Sequence, residues 1–366
     1  MKKINFLCFF FVVLLAGQIF ASEAIPVDTL KTKTTGKFLI FPFLIRSPET
    51  SVGFGAASAF FFKTKHNDTL IRTSDFNLVS LYTLKKQMVF VLGSSIYFPD
   101  EKMIVRLQTS YSHYPDKTWG IGNTTPDGVQ EDYSIHQFYF YPQFLRKFFR
   151  HWYGGFSYEY QHVYDFIYEY NGVFEQQDIA GRNGGKMSGL GVLLSYDSRN
   201  SAYSPTKGIL GEFNFISHSD HFGSDFNFSS LVVDVRKFFP LKKGRVLGMQ
   251  LIFKENKGTV PIRNLALLGG SEMMRGYYYG RYTDKDMIAY QAEIRQFLFW
   301  RLGVVGFAGL GEVADRISNF RLDGFHYAAG AGLRLMVSKS EKLNLRIDYG
   351  FGKNSGGLYV ILKEAF

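Results

Sequence analysis

The sequence has 366 residues, of which 46% are hydrophobic, 20% charged and 17% aromatic, with 37 glycines and a single cysteine, Cys8. A mean hydropathy of −0.07 excludes a bundle of apolar membrane helices, and the aromatic content excludes a disordered chain. The formal net charge of +10 would suit nucleic acid, but the N-terminal residues direct the chain elsewhere.

Lys2 and Lys3 precede an apolar run from Ile4 to Ala16. A short basic stretch followed by an apolar core of this length is a secretory signal, too short for a comfortable membrane span. Ala21, Ser22 and Ala24 offer small residues for cleavage, and the bond after Ala21 is expected to be cut. Leu15-Ala16-Gly17 would open a lipoprotein signal, but Gln18 stands where the lipidated cysteine must be. No lipid anchor is expected. Removing residues 1–21 takes away two lysines and no acid, so the formal charge falls from +10 to +8. It also takes away Cys8, which excludes disulfides, thiol catalysis and thiolate metal sites in the exported chain. Anionic lipid headgroups or surface glycans suit the remaining charge better than nucleic acid.

Residues 22–35 are a short polar lead, expected in the periplasm. From residue 36 to 366 the chain repeats one theme: segments of about ten residues that alternate apolar and polar, separated by turn residues. This is the sequence pattern of a transmembrane antiparallel β-barrel. The fold class expected is therefore all-β, with about sixteen strands near 36–45, 52–63, 73–84, 87–98, 102–112, 133–144, 151–162, 186–197, 208–219, 225–239, 244–255, 287–298, 301–311, 324–337, 342–350 and 356–366. Between 343 and 351, Leu343, Leu345, Ile347, Tyr349 and Phe351 share one face, and Asn344, Arg346, Asp348 and Gly350 the other. Between 287 and 298, Ile288, Tyr290, Ala292 and Ile294 oppose Gln291, Glu293 and Arg295. Charged residues on one face and apolar ones on the other suit a watery lumen and a lipid exterior. With both ends periplasmic, every second gap faces outward, and the outward gaps include 113–132, 163–185, 256–286 and 312–323. The inward gaps are mostly short, which is the asymmetry expected of such barrels. Phe366 ends a segment that alternates Leu358, Val360 and Leu362, and it reads as a C-terminal sorting signal on the last strand.

Four stretches carry a resemblance. Ser195 to Phe213 reads SYDSRNSAYSPTKGILGEF, and Leu268 to Arg281 reads LGGSEMMRGYYYGR. Ala292 to Asp315 reads AEIRQFLFWRLGVVGFAGLGEVAD, and Leu345 to Phe366 closes the chain. Together they resemble the bacterial surface antigen family that includes the BamA and TamA barrels, best over residues 186–366. The resemblance implies that Asp197, Arg199, Pro205 and Gly208 form a periplasmic turn. It implies that Arg275, Gly276 and Tyr277 lie in an external loop that folds back into the barrel, where Glu293 on the inner wall receives Arg275. The family's Phe-x-Asp-x-Gly strand is Phe307 to Gly311 here, with Gly309 in place of the Asp. Glu293 is left to hold Arg275 alone, or with help from Glu312 or Asp348. Family members carry POTRA domains ahead of the barrel, and this sequence reads as a barrel-only member.

No catalytic constellation, cofactor motif or metal set emerges. His218, Asp220 and His221 cluster without a further ligand, and the serines and histidines are scattered. Gly189-Leu190-Gly191 and Gly330-Ala331-Gly332 lack the third glycine and the helix of a nucleotide loop. The resemblance implies an outer-membrane protein of a Gram-negative bacterium that assists insertion or translocation of outer-membrane proteins or lipids without ATP. Its implied partners are outer-membrane lipid, unfolded barrel clients and a separate periplasmic protein. Two other readings stay open: a passive porin-like channel, and a structural subunit of an assembly machine.

Overall fold

The computed structural model describes residues 37–64, 73–169, 172, 179–201, 204–338 and 342–366. The expected signal peptide and the lead, residues 1–21 and 22–35, lie outside the described residues. Eighteen strands are present among the described residues: β1 (Lys37–Ser47), β2 (Ser51–Phe62), β3 (Ser74–Thr83), β4 (Met88–Tyr97), β5 (Met103–Thr118), β6 (Glu131–Phe149), β7 (Trp152–Tyr168), β8 (Gly185–Asp197), β9 (Gly208–His218), β10 (Phe228–Lys242), β11 (Arg245–Gly258), β12 (Ala266–Leu268), β13 (Tyr282–Asp284), β14 (Asp286–Phe299), β15 (Leu302–Ala314), β16 (His326–Ser338), β17 (Leu343–Gly352) and β18 (Ser355–Leu362). Sixteen of them close one antiparallel barrel, as the alternation predicts. Each wall strand pairs with the next, β11 pairs with β14, and β18 returns to β1. The short β12 and β13 pair with each other inside the long 259–285 connection.

The wall follows the expected faces. Phe54, Leu78, Phe156, Leu251, Ile294 and Tyr349 are exposed on the outside, while Gln250, Gln291, Glu293, Arg334, Arg346 and Asp348 are buried on the inside. A lipid-facing apolar surface with a polar interior is the partition a membrane barrel requires. The connections 119–130, 169–184, 259–285 and 315–325 all leave one end of the barrel, here called the outer end. Among the described residues, several connections at the other end are tight hairpins. Lys243 and Gly244 alone join Lys242 to its partner Arg245, and Gly244 takes φ 73°, a left-handed conformation suited to a two-residue hairpin.

Three expectations are corrected. Strands β5, β6 and β7 run longer than 102–112, 133–144 and 151–162, because pairing continues where the apolar alternation has stopped. Thr118 lies opposite Glu131 and Tyr133 opposite Tyr168. The expected gap 113–132 therefore shrinks to 119–130. The last strand ends at Leu362 instead of reaching Phe366. Lys363 to Phe366 leave the wall and turn inward, and Phe366 packs with Phe238 and Val246 from the inner face of β10 and β11. The polar interior draws the segment in: Arg334 and Asn344 hold the Glu364 carboxylate at 2.6 Å each, and Arg295 donates to the Phe366 main-chain oxygen at 2.8 Å.

The seam between first and last strands differs from the rest of the wall. Along β17 and β18 the partners run unbroken from Leu345–Leu362 to Gly352–Ser355, and along β1 and β2 from Lys37–Phe61 to Ser47–Ser51. Between β1 and β18 one partner pair is present, Arg46 with Val360. Antiparallel register from that pair carries Leu362 to the level of Leu44, so β1 from Lys37 to Phe43 extends past the end of β18.

Candidate functional site in the barrel lumen

The 259–285 connection enters the barrel and fills its outer half. Ala266, Leu268, Met274, Tyr277 and Tyr282 pack against Met287, Ala289, Val313 and Ala328 of the wall. Glycines allow the tip to lie against β17. Gly276 has φ 121°, and a Cβ there would stand 2.6 Å from the Phe351 backbone. A Cβ on Gly350 would stand 2.3 Å from the Arg275 carbonyl oxygen, and one on Gly352 would strike the Tyr277 ring. Close backbone approach of this kind requires residues without side chains.

At the tip, the Arg275 guanidinium donates to Asp348 Oδ2 at 2.6 Å and to Glu293 Oε2 at 2.7 Å. It also lies 3.6 Å from the centre of the Phe307 ring. All three charged side chains are fully buried. The pairs belong to a larger network. Arg295 donates to Glu293, Arg334 to both Asp348 and Glu364, and Arg346 to Asp348 and to the Ser271 carbonyl. Buried charges are tolerated when each carboxylate meets several donors, as these do.

The expected Arg275–Glu293 pair is thus present, and Gly276 and Tyr277 sit beside it. Asp348 is the second partner of Arg275. Glu312 is not: its carboxylate accepts from the Arg321 main chain near the outer end. The space that a side chain at Gly309 would fill is taken by Met274, whose sulfur lies 3.2 Å from the position of a Cβ there. The carboxylate missing from β15 is therefore supplied by β17.

The remaining tip residues reach other parts of the barrel. The Gly276 N–H donates to the Tyr359 hydroxyl on β18 at 3.0 Å. The Tyr277 hydroxyl donates to the Tyr327 carbonyl and accepts from the Lys353 N–H. The Tyr278 hydroxyl donates to Asp116 on β5 at 2.8 Å, and burial, reinforced by Asp116, pushes the phenol above its ordinary range. The Tyr279 N–H donates to Glu49 in the β1–β2 turn at 2.8 Å. Burial raises the Glu49 carboxyl, with hydrogen bonds from Ser47 and the Tyr279 main chain opposing it. Sequence reading found none of Tyr359, Asp116 and Glu49. Inward polar alternation marks Asp116, but nothing local marks Glu49.

At the opposite end, the described residues between β8 and β9 bring Asp197 and Arg199 together. Asp197 accepts from the Arg199 side chain at 3.0 and 3.2 Å and from its N–H at 3.1 Å. Gly208 has φ 107°, and a Cβ would lie 2.3 Å from the Ser198 carbonyl oxygen. Pro205 is buried, and its carbonyl accepts from Arg295 at 3.4 Å. The turn, Glu293 and Phe366 thus converge on Arg295. His218 and His221, close in sequence, separate: His218 pairs inward with Glu159 at 2.9 Å and His221 with exposed Asp220. No group of three or more metal-ligating His, Cys, Asp or Glu side chains occurs among the described residues.

Comparison with known proteins agrees with this architecture. The model of the Omp85 superfamily domain matches residues 79–358. Among solved structures, the chain is similar to BamA from Haemophilus ducreyi lacking POTRA domains 1–3, with TM-score 0.55 and 13% identity over 91% of this chain and 71% of that one. It is similar to CdiB from Escherichia coli, with TM-score 0.58 and 12% identity over 88% of this chain and 62% of that one. CdiB from Acinetobacter baumannii gives TM-score 0.56 and 13% identity over 90% and 59%. The chain therefore spans about three-fifths of either CdiB. No curated protein matches the sequence. Fold and family indicate an outer-membrane protein of a Gram-negative bacterium, and the match over most of the chain makes it a member of the Omp85 superfamily.

Proposed function

We propose that this barrel assists the insertion or translocation of outer-membrane proteins without nucleotide hydrolysis, by offering the free edge of β1 to an incoming strand. The observation that carries the reading is the seam. β1 has eleven residues, yet its one partner pair with β18 is Arg46 with Val360. An unpaired edge presents main-chain donors and acceptors to which another strand can add. The buried Arg275 network would keep the loop seated while the edge is in use. BamA and CdiB are the relatives that lend the proposal its class.

The test is conditional depletion followed by quantitative outer-membrane proteomics. A fall in many barrel proteins, with their unfolded forms accumulating in the periplasm, is the expected result. An unchanged outer-membrane proteome would exclude general assembly and leave a narrow client, lipid transport or a pore. A passive pore draws little support from the interior, where the loop, the β8–β9 turn and the chain's last residues all stand.

A further inference from the structure

The loop tip spans the weak seam. On the β18 bank, the Gly276 N–H donates to the Tyr359 hydroxyl at 3.0 Å, and that hydroxyl donates onward to the Tyr277 carbonyl at 3.2 Å. The Ser355 hydroxyl donates to the Gly276 carbonyl at 2.6 Å. On the β1 bank, Glu49 accepts from the Tyr279 N–H at 2.8 Å. Three residues after Gly276, the same segment has crossed from one strand end to the other.

Both jaws are themselves fixed. Tyr359 is fully buried and Glu49 nearly so. The turn that carries Glu49 is tied to the β3–β4 turn, where Lys85 donates to the Pro48 carbonyl at 2.7 Å and Gln87 to the Glu49 carbonyl at 3.1 Å. The loop cannot drift, because Arg275 is locked on β14 and β17. Direct contact across the seam is present at the same level: Arg46 pairs with Val360, and Pro48 sits so close to Gly357 that a Cβ there would be 2.6 Å away. Four hydrogen bonds from the loop therefore supplement one strand pairing.

We infer that Gly276 to Tyr279 act as a staple that holds the β1–β18 seam shut at its outer end, with Tyr359 and Glu49 as the two positioning residues. The seam is hinged there and free below, so it parts from the periplasmic side. This goes beyond the proposed function, and it holds whether or not a client strand is ever admitted.

The experiment uses the full barrel in lipid vesicles, with spin labels at Leu44 and Leu358 on the two banks and pulsed electron resonance to read their separation. A second labelled pair, Phe140 and Tyr160, which are partners in the β6–β7 wall, reports on a part of the barrel away from the seam. Glu49→Ala removes one jaw. Tyr359→Phe removes the hydroxyl of the other and keeps the ring, so the fold is preserved. The expected result is a new population at longer distance across the seam in both variants, with the β6–β7 distances unchanged. An unchanged seam distribution in Tyr359→Phe and Glu49→Ala would overturn the staple. So would broadening of both pairs together, which would mean general loosening. Client insertion is measured separately, so failure of the staple and failure of the insertion reading are distinguishable.

Discussion

At the scale of single residues, the chemistry is concentrated in one arginine. Arg275 bridges Glu293 and Asp348 where all three are sealed from solvent. Removing one member of a buried pair leaves uncompensated charge. Arg275→Ala is expected to cost about 3 kcal/mol, the lower part of the range for such a loss, because Arg295 still reaches Glu293 and Arg334 still reaches Asp348. The urea midpoint of the purified barrel in detergent would measure this. Arg275→Lys should recover only part of it, since one ammonium cannot reproduce the planar fork between two carboxylates. Gly309→Asp should not restore a second acid at its family position. Its Cβ would lie 3.1 to 3.2 Å from Tyr290, Gln291 and Met274, and such crowding costs about 1–3 kcal/mol. Adding Met274→Ala should return some of that loss in the same urea assay.

At the scale of elements, the strand pattern was legible because alternation is local. Inward Glu293 and outward Ile294 can be assigned from their neighbours alone. The Arg275–Asp348 pair could not be, since it depends on how β14 to β17 are staggered, and stagger is a property of the closed wall. The inward turn of Lys363 to Phe366 was hidden for a related reason. The face of Leu358, Val360 and Leu362 is interrupted only by Glu364 before Phe366, while the groups that draw the segment in, Arg334, Asn344 and Arg295, stand on three other strands. Phe366→Ala is expected to cost about 3 kcal/mol, as for other large buried aromatics, read as a lower unfolding midpoint. For the seam, Arg46→Cys with Val360→Cys places two thiols on facing residues of an antiparallel pair. Oxidation should join β1 to β18 and arrest client insertion, and a reductant should restore it. Full insertion with the disulfide formed would sink the strand-addition proposal.

At the scale of the whole molecule, a sixteen-stranded wall would by itself enclose water. Here the lumen is occupied at both ends. The loop cluster fills the outer half, and Pro205, Glu364 and Phe366 meet Arg295 nearer the other end. Low single-channel conductance is therefore expected in planar bilayers, rising when Arg275→Ala unseats the loop. High conductance in the parent protein would favour the porin-like reading instead.

The staple also bears on the order in which the molecule comes together. Tyr279 and Glu49 are 230 positions apart, and Tyr278 and Asp116 are 162 apart. Contacts between such distant parts of a chain carry a large closure entropy and form slowly. The Tyr359 bond further requires the final strand, which carries that hydroxyl. The loop tip thus completes its bonds only on a finished barrel, so its burial is an internal record that folding has reached its end.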